Sequence, residues 1–242
     1  MHSNRYVDSL LEAMREERQR AQTRRGLITM SAKAIGAGAL VAAVPMFRVR
    51  GVSAQDFADD VEILNYALTL EHLEYAFYRD GLQVYNLRAF DEANRPSSVY
   101  PRFQEIRTHE RAHVNALIGL ITGLDGEPVE EAEYDFGYED FDGFLATAQA
   151  LENTGVAAYA GAAPQISDPA ILAAALGIHS VEARHAAYLN ERVGASPFPD
   201  AVDLALTPDE VLAIAGPFIV SGGAEGTPEA EGTPDAESTP EG

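Results

Sequence analysis

Four stretches of the chain, residues 56–83, 100–122, 141–163 and 168–193, carry apolar side chains at alternating spacings of three and four. That period gathers them on one face of a helix and predicts four long amphipathic helices sharing a seam. The first stripe reads Val61, Leu64, Leu68, Glu71, Tyr75, Tyr78, Leu82, and the second Phe103, Ile106, Glu110, His113, Leu117, Leu120. The third reads Leu145, Ala148, Glu152, Gly155, Tyr159, Ala162, and the fourth Ile171, Ala175, Ile178, Glu182, His185, Leu189. The expected fold is all-α, an antiparallel four-helix bundle. Thr207-Pro208-Asp209-Glu210 then reads as a helix start, with a capping hydroxyl, a first-turn proline and a glutamate three places after the threonine. A short fifth helix to about Ala215 follows, stopped by Gly216-Pro217.

Each stripe is interrupted near its middle by a glutamate, and in the second and fourth a histidine follows three residues later on the same face. A buried unpaired carboxylate is destabilising by several kcal/mol or more, and four facing one another also repel. The pattern therefore demands a compensating charge. Two divalent cations would balance Glu71, Glu110, Glu152 and Glu182, with neutral His113 and His185 completing the ligand set. Glu74, three residues after Glu71 and beside the seam, is an alternative first ligand; Glu71 is preferred because it lies in the stripe. Tyr78 follows Glu71 by seven residues and Tyr159 follows Glu152 by the same interval, about two turns and 10 Å along the axis. The chain thus reads as two similar helical hairpins. His72, His109 and His179 fall off the seam and read as ordinary, partly exposed histidines.

Composition narrows the chemistry. With no cysteine, neither a disulfide nor a thiolate site is available, and a carboxylate–imidazole site suits iron, manganese or zinc. The formal charge of -21 excludes a nucleic-acid partner, which requires a basic face. Residues 127–142 are acid-rich and contain no basic residue, which fits a solvated loop or one that steers cations. The acidity fits an exported protein or adaptation to high salt.

Both ends differ from the middle. Residues 1–54 carry nine of the 17 basic residues and four of the 38 acidic ones. There Arg24-Arg25 precedes a mild Ala/Gly-rich apolar run to Pro45, and Val52-Ser53-Ala54 offers a cleavage site. This resembles a twin-arginine signal peptide. It implies export to the periplasm, cell surface or medium, with membrane contact only in transit. Residues 27–45 are also about long enough for an uncleaved anchor, although Lys33, Gly36 and Gly38 weaken that reading. Residues 55–221 would form the bundle. Residues 222–242, with EGTP twice, lack bulky apolar side chains and read as a disordered acidic tail.

His109-Glu110-Arg111-Ala112-His113 also matches the HExxH zinc-protease helix. Arg111 and the neighbouring Arg107 do not suit that motif, and it leaves Glu71, Glu152 and the Glu182-x-x-His185 repeat unexplained.

The segments LNYALTLEHLEYAFY, HERAHVNAL, ALENTGVAAY and SVEARHAAYL resemble the ferritin-like superfamily, and within it a bacterial and fungal branch linked with desiccation. Such proteins place one glutamate on each of two helices and Glu-x-x-His on each of the other two. The resemblance implies Glu71 and Glu152 as terminal ligands and Glu110 and Glu182 as bridging, catalytic carboxylates. His113 and His185 would complete two iron or manganese sites. Tyr78 and Tyr159 would hydrogen-bond ligand carboxylates, or else simply fill space. The implied activity is oxidation of Fe(II) by dioxygen or peroxide, or peroxide removal. The competing expectation is a stress or surface protein with structural metals. A homodimer of bundles remains open.

Overall fold

The computed structural model describes residues 57–221. The expected signal segment and the acidic tail lie outside the described residues. No helix among the described residues is long and apolar enough to cross a membrane.

Four long helices dominate: α1 (Asp60–Val84), α3 (Val99–Gly123), α4 (Phe141–Ala162) and α5 (Pro169–Arg192). Between the first two lies a short helix, α2 (Leu87–Glu92), and the chain closes with α6 (Pro208–Ala215). The starts are set locally. Asp59, Asp140 and Asp168 accept from the backbone N–H groups of Glu62, Gly143 and Ala170, and Pro169 occupies the first turn of α5. Thr207 and Glu210 form the reciprocal capping box that starts α6. Two elements were not anticipated. One is α2; the other is a two-stranded antiparallel pairing of β1 (Glu133–Tyr134) with β2 (Ile219–Ser221).

Hydrogen bonds fix the direction of each helix. The segment 124–140 between α3 and α4 climbs the whole of α1. Near its foot Asn65 bonds Glu127 and Val129, and higher up Arg79 meets Glu131. Beside it the Tyr138 hydroxyl donates to the Phe77 carbonyl, and at the top the Tyr138 ring meets Tyr85. Seventeen residues can span about 56 Å when extended, more than the roughly 37 Å length of the 25-residue α3. Consequently α3 and α4 run in the same direction, while the hairpins α1/α3 and α4/α5 are antiparallel. One long crossover of this kind is a recognised bundle topology. The β1–β2 pairing ties the crossover to the C-terminal segment, and Asp135 N–H adds a bond to the Phe218 carbonyl.

The core falls into two apolar clusters. One is aromatic, around Phe77, Tyr85, Phe90, Phe103, Phe136 and Phe144. The other is aliphatic, around Leu64, Leu68, Leu117, Ile121, Ile171 and Ile178. Leu206 donates its N–H to the Ala157 carbonyl and passes so close to Gly161 that any Cβ there would overlap the Leu206 carbonyl. This contact packs the segment before α6 against α4.

Candidate metal centre

Between the two clusters the bundle interior is charged. Glu71, Glu110, Glu152 and Glu182 are each 0 % exposed, and His113 and His185 are buried beside them. Helical spacing explains the convergence. Each Glu-x-x-His pair lies on one face of α3 or α5, and Glu71 and Glu152 face them from α1 and α4.

The side chains form two overlapping groups able to hold a cation. Glu71, Glu110, His113 and Glu182 make one; Glu110, Glu152, Glu182 and His185 make the other. Glu110 and Glu182 belong to both. In the first, His113 Nδ1 lies 3.2 Å from Glu71 Oε2, 3.0 Å from Glu110 Oε2 and 3.1 Å from Glu182 Oε1. One nitrogen carries at most one hydrogen and cannot serve three carboxylates. In the second, His185 Nδ1 lies 3.0 Å from Glu110 Oε1 and 3.1 Å from Glu152 Oε2. Glu182 Oε2 is buried without any hydrogen-bond partner, and Glu110 Oε1 and Glu182 Oε1 meet only the shared Nδ1 atoms of His185 and His113. Under-satisfied oxygens on the two shared carboxylates, with convergent imidazole nitrogens, are a donor set suited to divalent metal ions.

The two tyrosines bridge the bundle crosswise. Tyr159 Oη donates to Glu71 Oε1 at 2.6 Å, and Tyr78 Oη donates to Glu152 Oε1 at 2.7 Å. The crossed pattern requires α1 and α4 to be antiparallel, because each tyrosine lies two turns beyond its own helix's glutamate. Burial and the adjacent carboxylates hold both phenols well above their usual range, so they remain donors.

Protons balance the charges here. Burial raises Glu71 to about 7 even though His113 bonds to it. Burial also opposes ionisation of Glu110, but hydrogen bonds from His113 and His185 overcome it and hold Glu110 at about 2. Glu182 is driven well up by burial and then by Glu110, Glu152 and Glu71. Burial disfavours charge on both histidines, yet their carboxylate partners raise His113 to about 12 and His185 to about 9. A cation entering the site would displace these protons.

Family comparison agrees with the geometry. The ferritin-like domain family matches residues 59–195, more than half of the chain. This chain is a ferritin-like protein. No curated protein matches the sequence. The ferritin-like match spans α1 to α5 and includes all six residues of the two groups.

Three residues depart from the sequence reading. His72, expected to be partly exposed, is buried, with Nε2 3.2 Å from the Val129 carbonyl, because the crossover covers the outer face of α1. Glu74, read as lying beside the seam and as an alternative first ligand, is buried almost as completely as the four stripe glutamates, at 3 % exposure. Exposed His109 places Nδ1 2.9 Å from His185 Nε2, with the two rings stacked nearly parallel. His109 belongs to neither ligand group, so the HExxH match lacks the histidine pair a zinc protease needs. Gly155, where the third stripe carries no side chain, was the sequence signal for Glu74. His109 had no comparable signal, since its partner lies on another helix.

Proposed function

We propose that this ferritin-like protein holds two iron or manganese ions and uses them in oxidative chemistry with Fe(II), dioxygen or peroxide. The observation that carries the reading is the pair of four-residue groups sharing Glu110 and Glu182. Glu71 and Glu152 would be terminal ligands, Glu110 and Glu182 the bridging carboxylates, and His113 and His185 the nitrogen ligands. A metal pair of this type supplies electrons two at a time within one small volume. The chain's own contribution is positional. Tyr159 and Tyr78 hold the outer oxygens of Glu71 and Glu152, the His109 ring orients His185, and the two apolar clusters exclude water. The iron- or manganese-loaded protein should turn over Fe(II) or hydrogen peroxide, and Glu110→Ala should abolish this. Loaded protein without either turnover would refute the reading.

Complete burial of the four carboxylates favours a second reading, in which the ions are structural and the bundle serves as a stress or surface protein. Unfolding that depends on metal, in a loaded protein without turnover, would select it. Export through the twin-arginine route rests on Arg24-Arg25 and the apolar run after them. Changing both arginines to lysine should retain the protein in the cytoplasm, and unaltered export would contradict that route.

A further inference from the structure

The two hairpins correspond position by position: Glu71 to Glu152, Tyr78 to Tyr159, Glu110 to Glu182, His113 to His185. One correspondence fails. Three residues after Glu71 stands Glu74, and three residues after Glu152 stands Gly155. These two positions face each other across the centre. A Cβ built on Gly155 would lie 3.0 Å from Glu74 Oε1 and 3.3 Å from Glu182 Oε2. The interior therefore has room for one side chain here, and it is the carboxylate of Glu74. Its burial brings to five the carboxylates enclosed between the apolar clusters.

Position shows which side it serves. Gly155 lies one turn beyond Glu152 on α4, and the notch it leaves is shared by Glu74 Oε1 and Glu182 Oε2. Glu182 Oε2, which faces the same space, is buried with no hydrogen-bond partner. A buried acid beside an orphaned acid is doubly unfavourable unless a cation joins them.

We infer that Glu74 is a seventh ligand of the metal pair, serving the ion held by Glu152, Glu182 and His185 and making the two sites chemically unequal. This inference rests on the di-metal reading above. That second ion then draws on Glu74, Glu110, Glu152 and Glu182 with His185, while the first draws on Glu71, Glu110 and Glu182 with His113. More carboxylate oxygen around one ion favours its binding of harder or more highly charged metals. Gly155 is the device that makes this possible, because any side chain there would take the space of the Glu74 carboxylate.

The test compares wild type, Glu74→Gln, Glu74→Ala and Glu110→Ala, each freed of metal and titrated calorimetrically with Mn(II) and, separately, Co(II). Wild type should bind two equivalents with unequal affinity. Both Glu74 variants should weaken one equivalent by roughly 10–100-fold and leave the other unchanged. The visible absorption of the affected Co(II) should also strengthen as its coordination number falls. Because the substitution removes a repelled buried acid, metal-free Glu74→Gln should melt no lower than wild type, which separates ligand loss from misfolding. Two unaltered binding steps in both Glu74 variants, with binding lost in Glu110→Ala, would overturn the inference and leave the di-metal reading intact. Absence of binding by wild type itself would overturn both.

Discussion

Removing metal should make stability depend steeply on pH, because protons then carry the charge balance of the centre. The sign follows group by group. Glu71 has a folded pKa of about 7, above its ordinary 4.5. It therefore favours the folded state fully below pH 4.5 and loses that contribution as pH rises through 7. Glu74 and Glu182 are raised well above the same ordinary value and act in the same sense. His113, raised from 6.5 to about 12, stabilises fully below pH 6.5 and loses the effect as pH climbs towards 12. Among the carboxylates Glu110, lowered to about 2, works oppositely, and its contribution disappears between pH 4.5 and 2. The metal-free protein should be most stable near pH 4.5–5 and weaken towards pH 8. Glu71 alone corresponds to about 3 kcal/mol over this interval at 1.36 kcal/mol per pKa unit. For a domain of this size that is a fall in Tm of roughly 6–12 °C. Bound divalent ions would replace the protons, so the loaded protein should show a much flatter profile. Thermal melts followed by circular dichroism from pH 5 to 8, with EDTA and with Mn(II), measure both curves. A gap between them that does not widen with pH would refute the reasoning.

Three further outcomes are expected. Tyr159→Phe and Tyr78→Phe each remove a hydrogen bond to a ligand carboxylate, and should weaken metal binding about 10–100-fold by calorimetry while leaving the helical content unchanged. Gly161→Ala forces a methyl against the Leu206 carbonyl, and should lower stability by about 1–3 kcal/mol in denaturant titrations. His109→Ala leaves His185 Nε2 without its partner ring; metal affinity should fall, and His109→Gln, which restores an acceptor, should recover part of it.

Much of the bundle is legible because its chemistry is periodic. Glu71, Glu110, Glu152 and Glu182 stand out as polar interruptions of apolar stripes, and the starts of α1, α4 and α5 follow from Asp caps and Pro169. Thr207 and Glu210 likewise announce α6 through a purely local motif. What escapes is created by distant segments. Helix α1 looks one-sided in sequence, yet the crossover covers its outer face and buries His72, while Gly155 on α4 opens the space that buries Glu74. The parallel course of α3 and α4 depends on where residues 124–140 travel, and their acid-rich composition does not reveal the path along α1. The stacking of His109 on His185 joins residues 76 apart and matches no periodic signal.

The central claim is that Glu110 and Glu182 join two metal sites. Elemental analysis of the protein purified without added metal, alongside Glu110→Ala and His185→Ala, tests it most directly. The account predicts about two equivalents of iron or manganese per chain in wild type, estimated from the two overlapping ligand groups, and loss of metal in both variants. A metal-free wild type that also fails to take up iron or manganese on reconstitution would contradict it.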